Sequence, residues 1–290
     1  MAEDVPAWDF AVAPPRTAPG VSSMVGYRAL DVPHTLHRGL PSSRLTFIVA
    51  MDDGVEAAAT MDALPAVHPA PIILGGLHTS ASYVRQRPAQ AGVQIAMHPL
   101  AARAVFGIPA AELPVTEFDG TSYLGTAARD LHGRMTEVTD WRTAFRLVAD
   151  HLIGRYDGDH VDRLRPELLR AWHLFERTGG RAPVGAVARA VGLSTRHLGT
   201  LFAREVGRSP KQVAGLMRFE RAQAAIAEQV RLRGSADLAG VAAAGGFSDQ
   251  AHLSREFGRY VGLSPTVWIA EELRNIQDGG HRGAGEWTHD

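Results

Sequence analysis

The sequence predicts a chain of the α+β class, with a β-rich N-terminal part and an all-α C-terminal part. Three observations lead to this division. Short apolar runs separated by turn residues occupy roughly the first hundred residues. Helical periodicity replaces them after Pro99. A stretch near the C-terminus occurs twice, which is typical of a repeated structural unit.

The repeated stretch covers residues 192–210 (GLSTRHLGTLFAREVGRSP) and residues 246–265 (GFSDQAHLSREFGRYVGLSP). With a shift of 55 positions, eight of the fourteen residues in 197–210 are identical in the second copy. The apolar residues of the first copy fall on one face of a helix at a spacing of about 3.6 residues. These residues are Leu198, Leu201, Phe202 and Val206.

Each copy carries the start and stop signals of a helix. Ser194 and Ser248 are predicted N-caps, because a serine hydroxyl accepts from a free N–H of the first turn. Gly207 and Gly262 are predicted helix stops, and a Ser-Pro pair then starts the next helix. A short apolar helix precedes each copy, at residues 184–191 and 237–244. The pattern is helix, tight turn, helix, twice over.

Residues 167–273 resemble the AraC/XylS-type DNA-binding domain. The resemblance rests on both repeats, on their GLS and GFSD openings and G-x-SP closures, and on the intervening RFERA sequence at 218–222. It implies a seven-helix domain in which a linker helix joins two helix-turn-helix units. The alternative is a helical bundle that does not contact DNA.

Base edges in the major groove are reached by the early, non-core positions of a recognition helix. In the first predicted helix these positions are Thr195, Arg196, Gly199 and Thr200, with Arg204 further along. In the second they are Asp249, Gln250, Ala251, Ser254 and Arg255, with Arg259 further along. Arg196 and Arg255 are the strongest candidates, since a guanidinium matches the O6/N7 edge of guanine, and Gln250 matches adenine.

The resemblance implies that seven of these positions face bases: Arg196, Gly199, Thr200, Gln250, Ala251, Ser254 and Arg255. Gly199 and Ala251 carry no polar side chain, which predicts fewer direct base contacts and more readout of DNA shape. For Arg204 and Arg259 a solvated face or a phosphate contact outweighs base reading. His197 and His252 recur in the repeat, and packing or first-turn hydrogen bonding is the expected role.

The charge divides unevenly along the chain. Residues 1–180 carry 16 Arg against 20 acidic residues, and residues 181–290 carry 14 basic against 11 acidic residues. A basic C-terminal part suits a module that binds an anion. The chain has no Cys, which excludes disulfides and thiolate metal sites and fits a reducing cytoplasm. No apolar run approaches the ~20 residues of a membrane span, so no membrane partner is expected.

The N-terminal part reads as a small sheet or incomplete barrel, with strands expected at residues 24–30, 45–51, 72–77 and 93–97. Two segments, HRGLPSSRLTFIV (37–49) and HPLAARAVFGIPAAEL (98–113), resemble the cupin-like N-terminal region of a set of AraC-type regulators. We expect a flexible arm at 1–19 and a cupin-like sensory or regulatory domain at 20–156 that ends in helices. A linker at 157–162, the DNA-binding domain at 163–276 and a flexible tail at 277–290 follow.

The sequence gives no indication of catalysis. His34 and His37 have H-x-x-H spacing, but a cupin metal site needs two or three His and a carboxylate converging inside a barrel. No nucleophile elbow, P-loop or dinucleotide fingerprint is present. We therefore expect no catalytic residue, no metal and no cofactor.

The leading interpretation is a bacterial transcription regulator that binds double-stranded DNA. Its two recognition helices would enter successive major grooves about 34 Å apart. A small-molecule effector, RNA polymerase and a second copy of the chain are the other candidate partners. Two alternatives remain, a cupin-type metal enzyme with an accessory DNA-binding module and a protein-interaction adaptor. Activation or repression, the target promoter, the effector and the oligomeric state stay open.

Overall fold

The computed structural model describes residues 8–30 and 32–277. The strands are β1 (Trp8–Val12), β2 (Val21–Ala29), β3 (Thr35–Gly39), β4 (Leu45–Ala50), β5 (Glu56–Ala58), β6 (Ile72–Gly75), β7 (Ser82–Gln86) and β8 (Ala91–Met97). The helices of the N-terminal part are α1 (Ala102–Phe106), α2 (Thr121–Leu124), α3 (Thr126–Thr136), α4 (Trp141–Arg155) and α5 (Gly158–Asp162). Those of the C-terminal part are α6 (Pro166–Thr178), α7 (Val184–Ala190), α8 (Thr195–Val206), α9 (Pro210–Arg233), α10 (Leu238–Gly245), α11 (Gln250–Val261) and α12 (Pro265–Gln277). The predicted division into a β-rich and an all-α part is confirmed.

Two antiparallel sheets form the N-terminal part, one ordered β1-β2-β8-β4-β6 and the other β3-β7-β5. Side chains of a strand alternate between its two faces. Along β4, Phe47 and Val49 point into the large core, whereas Ile48 and Ala50 pack with Phe118 in a separate cluster. Strand β4 is thus buried on both faces, which explains why LTFIVAM is a continuous apolar run.

The predicted flexible arm is wrong for residues 8–12. Trp8–Val12 forms the edge strand β1, paired antiparallel with β2. The Trp8 ring stacks on Phe10 with centroids 5.7 Å apart, and the indole N–H of Trp141 donates to Asp9 Oδ2 at 2.9 Å. The bond from Trp141 holds the segment to α4, whereas the Trp8–Phe10 stack lies within β1 itself. Residues 1–7 of the predicted arm and 278–290 of the predicted tail lie outside the described residues.

The predicted linker is a packed element of the structure. Residues 158–162 form helix α5, and the Asp157 N–H donates to the Ala104 carbonyl oxygen at 2.8 Å. Asp140 caps α4 as predicted, accepting from the Thr143 N–H at 2.9 Å. Helix α5 therefore connects the N-terminal part to the C-terminal part, and the hydrogen bond from Asp157 fixes its start against α1.

One hydrophobic core runs from the large sheet into the first helix-turn-helix unit. It joins Phe47 and Phe106 of the N-terminal part to Trp172, Phe175 and Phe202 of α6 and α8. The second unit has a core of its own, centred on α9 and α11. Leu40 is the only described residue of the N-terminal part that belongs to this second core or packs against it.

The end of α6 requires glycine for two reasons. Gly179 and Gly180 both have positive φ, at 55° and 72°, and the Gly180 N–H donates back to the Phe175 carbonyl oxygen at 2.8 Å. A Cβ atom on Gly180 would overlap the Ala214 carbonyl oxygen of α9. Gly192 also has positive φ, at 76°, but a Cβ atom there meets no atom within 4 Å.

We predict that Gly180→Ala destabilises the protein far more than Gly192→Ala. The second substitution adds only left-handed strain, about 1–2 kcal/mol. The first adds the same strain and also forces α9 away from α6. Urea unfolding of both variants measures the two costs. Equal losses would mean that the overlap with α9 relaxes freely.

His98 lies where the two parts meet. Its ring packs on Trp172 with centroids 5.0 Å apart, and its Nδ1 accepts from the Leu100 N–H at 3.2 Å. Glu176 accepts from the Trp172 indole at 2.8 Å and pairs with Arg44 at 2.7 Å. Burial, together with the Arg44 guanidinium, lowers the pKa of His98 to about 4 despite the nearby Glu176 carboxylate. The imidazole is therefore neutral at pH 7.

We predict that the free energy of unfolding falls between pH 7 and pH 5, in part through His98. The unfolded chain binds the proton near its ordinary pKa of about 6.5, whereas the folded protein binds it only near 4. A depressed histidine pKa thus stabilises above pH 6.5, and the contribution is lost as the pH falls toward 4. The loss from His98 should be on the order of 1–2 kcal/mol.

His98→Asn isolates this contribution. Asparagine keeps an acceptor for the Leu100 N–H and does not titrate. Burial also lowers the pKa of His78 and His151, but both residues stay in the variant. Chemical denaturation at several pH values should give a shallower pH dependence for His98→Asn. Parallel curves for the two proteins would contradict the prediction.

Candidate nucleic-acid interface

The first helix-turn-helix unit consists of α7, a turn at Gly192 and α8. Ser194 caps α8 as predicted, its Oγ accepting from the His197 N–H at 3.2 Å. Gly207 ends the helix with φ 75°, which confirms the predicted stop. Leu198 and Phe202 are buried, so the repeated apolar residues of α8 form its core face.

The second unit consists of α10, a turn at Gly246 and α11, and its cap differs from the prediction. Asp249, not Ser248, is the N-cap: its carboxylate accepts from the His252 N–H at 2.6 Å. This hydrogen bond is the main cause that lowers the pKa of Asp249. A carboxylate at this place also interacts favourably with the positive end of the helix. The Ser248 N–H instead lies 3.2 Å from His252 Nδ1.

His252 fills the first-turn role expected of it. Its ring packs edge-on against Phe247 at a centroid distance of 5.5 Å, in addition to the contact with Ser248. His197, at the equivalent place in α8, is exposed. The histidine that both copies share therefore makes contacts in the first turn of α11, whereas its counterpart in α8 is exposed to solvent.

Helix α9 connects the two units. Ser209 and Gln212 form a capping box at its start, as the Ser-Pro signal indicates. Val213 and Met217 belong to the core of the first unit, whereas Phe219 and Ile226 belong to that of the second. One helix thus takes part in both cores.

The candidate reading positions of α8 share one solvent-facing side. Thr195, Arg196, Thr200 and Arg204 are exposed, and a Cβ atom on Gly199 would meet open space. The Thr200 hydroxyl donates to the Arg196 carbonyl oxygen at 3.2 Å, so it is held against its own helix. Arg196 is thus an exposed long side chain of this face whose guanidinium can extend into solvent.

The reading positions of α11 have the same arrangement. Gln250, Ala251 and Arg255 are exposed, and Ser254 is half-buried. Asp249 belongs to this group by prediction, but its carboxylate already serves as the cap. Under the 55-residue shift, Arg196 corresponds to Ala251, and Arg255 corresponds to Thr200. The main arginine of α11 therefore lies one helical turn later than that of α8.

Arg204 and Arg259 are engaged in contacts of their own. Arg204 Nε lies 2.8 Å from Glu205 Oε1. Arg259 pairs with Glu256 at 3.0 Å and donates to the Tyr260 hydroxyl at 2.7 Å. Arg259 also lines a cavity of about 300 Å³, whose N-terminal wall is formed by residues 59–62 and by Ser80, Ala81 and Tyr83. Both guanidinium groups thus have partners within the protein, and the phosphate or solvated role of Arg204 and Arg259 stays a prediction.

The model of a helix-turn-helix domain family matches residues 187–271. Residues 187–271 are an AraC-type helix-turn-helix domain. The match contains both recognition helices and the connecting helix α9. No curated protein matches the chain.

Solved structures similar to this chain include ToxT from Vibrio cholerae O395, at 10% identity and a TM-score of 0.45 over 91% of this chain and 97% of ToxT. A transcriptional regulator with an AraC-type DNA-binding domain from Chromobacterium violaceum is 25% identical over 38% of this chain and 94% of that one, with a TM-score of 0.32. The C-terminal domain of AraT, a response regulator from Geobacillus stearothermophilus, is 23% identical over 38% of this chain and 88% of that one, also with a TM-score of 0.32.

Glu205, which links the AraC-type domain to the N-terminal part, is not among the residues predicted from the sequence. Glu205 of α8 is buried, and it accepts from Arg103 of α1 at 2.8 Å as well as from Arg204. An acidic residue beside Val206 on the apolar stripe of α8 was the available signal. A buried carboxylate needs such partners, so Glu205 indicated a contact from outside the helix.

Within residues 8–30 and 32–277, no group of three His, Asp or Glu side chains converges to hold a metal ion. None of the helices described is both long and apolar enough to cross a membrane.

Proposed function

We propose that this protein is a sequence-specific DNA-binding transcription regulator with two recognition helices that enter successive major grooves. The observation that carries the proposal is the pair of capped helices α8 and α11 within the AraC-type domain, each with an exposed arginine on its free face. Major-groove readout requires such a face and such side chains. The protein would act in the bacterial cytoplasm, where the chromosome lies.

The roles of the individual residues follow from their surroundings. Arg196 and Arg255 would read guanine, and Gln250 adenine, because their side chains extend from exposed positions. The small side chains on the same faces would let the two helices approach the floor of the groove closely. These residues are Thr195, Gly199, Thr200, Ala251 and Ser254. Arg204 and Arg259 would contact phosphates, which orient a protein on the duplex without reading its sequence.

The N-terminal part would regulate DNA binding in response to a small molecule or a protein partner. Its contacts with both helix-turn-helix units support this role, since a ligand shifts an equilibrium only through different affinities for two arrangements. RNA polymerase and a second copy of the chain stay predictions as partners.

We predict that Arg196→Ala and Arg255→Ala each weaken binding to the preferred duplex by roughly 1–3 kcal/mol and relax specificity at separate positions. The preferred duplex is first selected from a random library. Fluorescence anisotropy titrations at fixed salt, with single-base variants of the duplex, then measure affinity and specificity.

Arg129→Ala is the matched control, since Arg129 is an exposed arginine of α3 in the N-terminal part. This variant should bind like the wild-type protein. A uniform loss on every duplex with Arg196→Ala or Arg255→Ala would assign the residue to a phosphate.

We also predict a steep salt dependence of DNA binding. Each neutralised phosphate contributes about −0.9 to the slope of log K against log salt. Arg204→Ala and Arg259→Ala should each make the slope shallower by about one and leave base preference unchanged. A protein-interaction adaptor would show no salt-dependent shift of a duplex at any concentration tested.

A further inference from the structure

One segment of the N-terminal part contacts the second helix-turn-helix unit and the connecting helix α9 at three points. Residues 38–44, called the docking loop below, comprise the end of β3 and the connection to β4. The first contact is Arg38, whose Nη1 donates to the Val261 carbonyl oxygen at 3.1 Å, at the last residue of α11. The Tyr83 hydroxyl accepts from the same nitrogen at 3.1 Å, and the guanidinium lies 5.3 Å from the Tyr83 ring centre.

The other two contacts involve Leu40 and Glu220. Leu40 packs against the core of the second unit. Glu220 of α9 accepts from the Ser42 hydroxyl at 2.6 Å and from the Ser43 N–H at 2.9 Å. Both bonds reach one carboxylate oxygen in a partly buried setting, and hydrogen bonds to a charged acceptor are stronger than neutral ones.

The docking loop is itself held in place. The Ser42 hydroxyl accepts from the Arg44 N–H at 2.9 Å, and Arg44 pairs with Glu176 of α6. Ser43 is 4% exposed. The loop thus connects α6, which shares its core with the sheet, to the connecting helix α9 and to α11 of the second unit.

Beside Arg38 the two parts line a cavity rather than pack directly. Thr60 and Met61 lie on one wall of this space of about 300 Å³, with Arg259 and Gly262 on the other. Dispersion contacts are lost across such a gap. The docking loop therefore supplies the close contacts that hold the end of α11.

We propose that the docking loop fixes the position of the second recognition helix relative to the first, and thereby sets the half-site spacing that the protein accepts on DNA. Arg38 and Glu220 are the positioning residues. The first unit needs no such device, because it shares the core of the sheet and pairs Glu205 with Arg103. The spacing part of this inference rests on the proposed function, whereas the positional part does not.

The positional part is tested without DNA by pulsed electron–electron double resonance. The chain has no Cys, so two introduced cysteines carry spin labels at chosen sites only. Labels at Glu137→Cys and Thr266→Cys measure the distance from the N-terminal part to α12, which packs in the core of the second unit. Labels at Glu137→Cys and Arg189→Cys measure the distance from the N-terminal part to α7 of the first unit. All three positions are exposed.

The double substitution Arg38→Ala/Glu220→Ala should broaden the distance distribution of the Thr266 pair and leave that of the Arg189 pair unchanged. Arg85→Ala/Glu228→Ala is the matched control, because these residues form ion pairs away from the docking loop, with Glu56 and Arg231. If the double variant does not fold, Leu40→Ser removes the apolar contact alone. Unchanged distributions for the Thr266 pair, or equal broadening of both pairs, would overturn the proposal.

The spacing part is tested on duplexes in which the distance between two selected half-sites varies by single base pairs. The wild-type protein should bind a narrow set of spacings, and Arg38→Ala/Glu220→Ala a wider set within tenfold of the best affinity. Affinity for a single half-site should be the same for both. Equal widths would refute the assigned specificity role. Absence of DNA binding by the wild-type protein would refute the proposed function instead and leave the distance test valid.

Discussion

The packing of Trp172 is the contact on which the arrangement of the molecule depends. Its ring lies against His98 from the sheet side and stacks on Phe202 of α8 at a centroid distance of 6.2 Å. The indole N–H donates to Glu176, which satisfies a polar group that burial would otherwise strand. A close-packed interior transmits displacement from one side chain to the next. Helix α8 is therefore coupled to the sheet through packed side chains. We expect movement between the two parts to involve the second helix-turn-helix unit.

The second unit is attached by fewer contacts. Helix α9 has 24 residues and so spans about 36 Å; Val213, Ala214 and Met217 near its start belong to one core, and Leu216 together with residues from Phe219 onward belongs to the other. A helix of this length fixes the distance between two units better than their rotation about its axis. The docking loop acts on that rotation, because its bonds reach two different helices, Glu220 on the connecting helix α9 and Val261 on α11 of the second unit. A signal that displaces the loop would thus reach α11 without disturbing α8.

Local signals explain most of what the sequence predicts correctly. The caps at Ser194 and Asp140 and the stops at Gly207 and Gly262 depend on residues a few positions apart. The wrong cap at Ser248 shows the limit, since two adjacent residues could each accept from the first turn and backbone geometry decides between them. The strand at residues 8–12 lies among prolines that are typical of a flexible arm, and its pairing with the predicted strand β2 is a contact that no local pattern reveals. The bonds of Glu205 to Arg103 and of Glu220 to Ser42 join residues 102 and 178 positions apart, so no local pattern identifies the partner of either carboxylate.

The offset of the two arginines that are proposed to read bases has a consequence for the proposed DNA site. Arg196 lies in the first turn of α8, whereas Arg255 lies in the second turn of α11. A helical turn advances about 5.4 Å. If the two helices enter their grooves in the same orientation, these guanidinium groups would therefore meet different base pairs of the two half-sites. The smaller residues differ as well, with Gly199 opposite Ser254 in the repeat. The two half-sites should therefore carry different base patterns, and the asymmetric site would orient the protein in a single direction relative to the promoter.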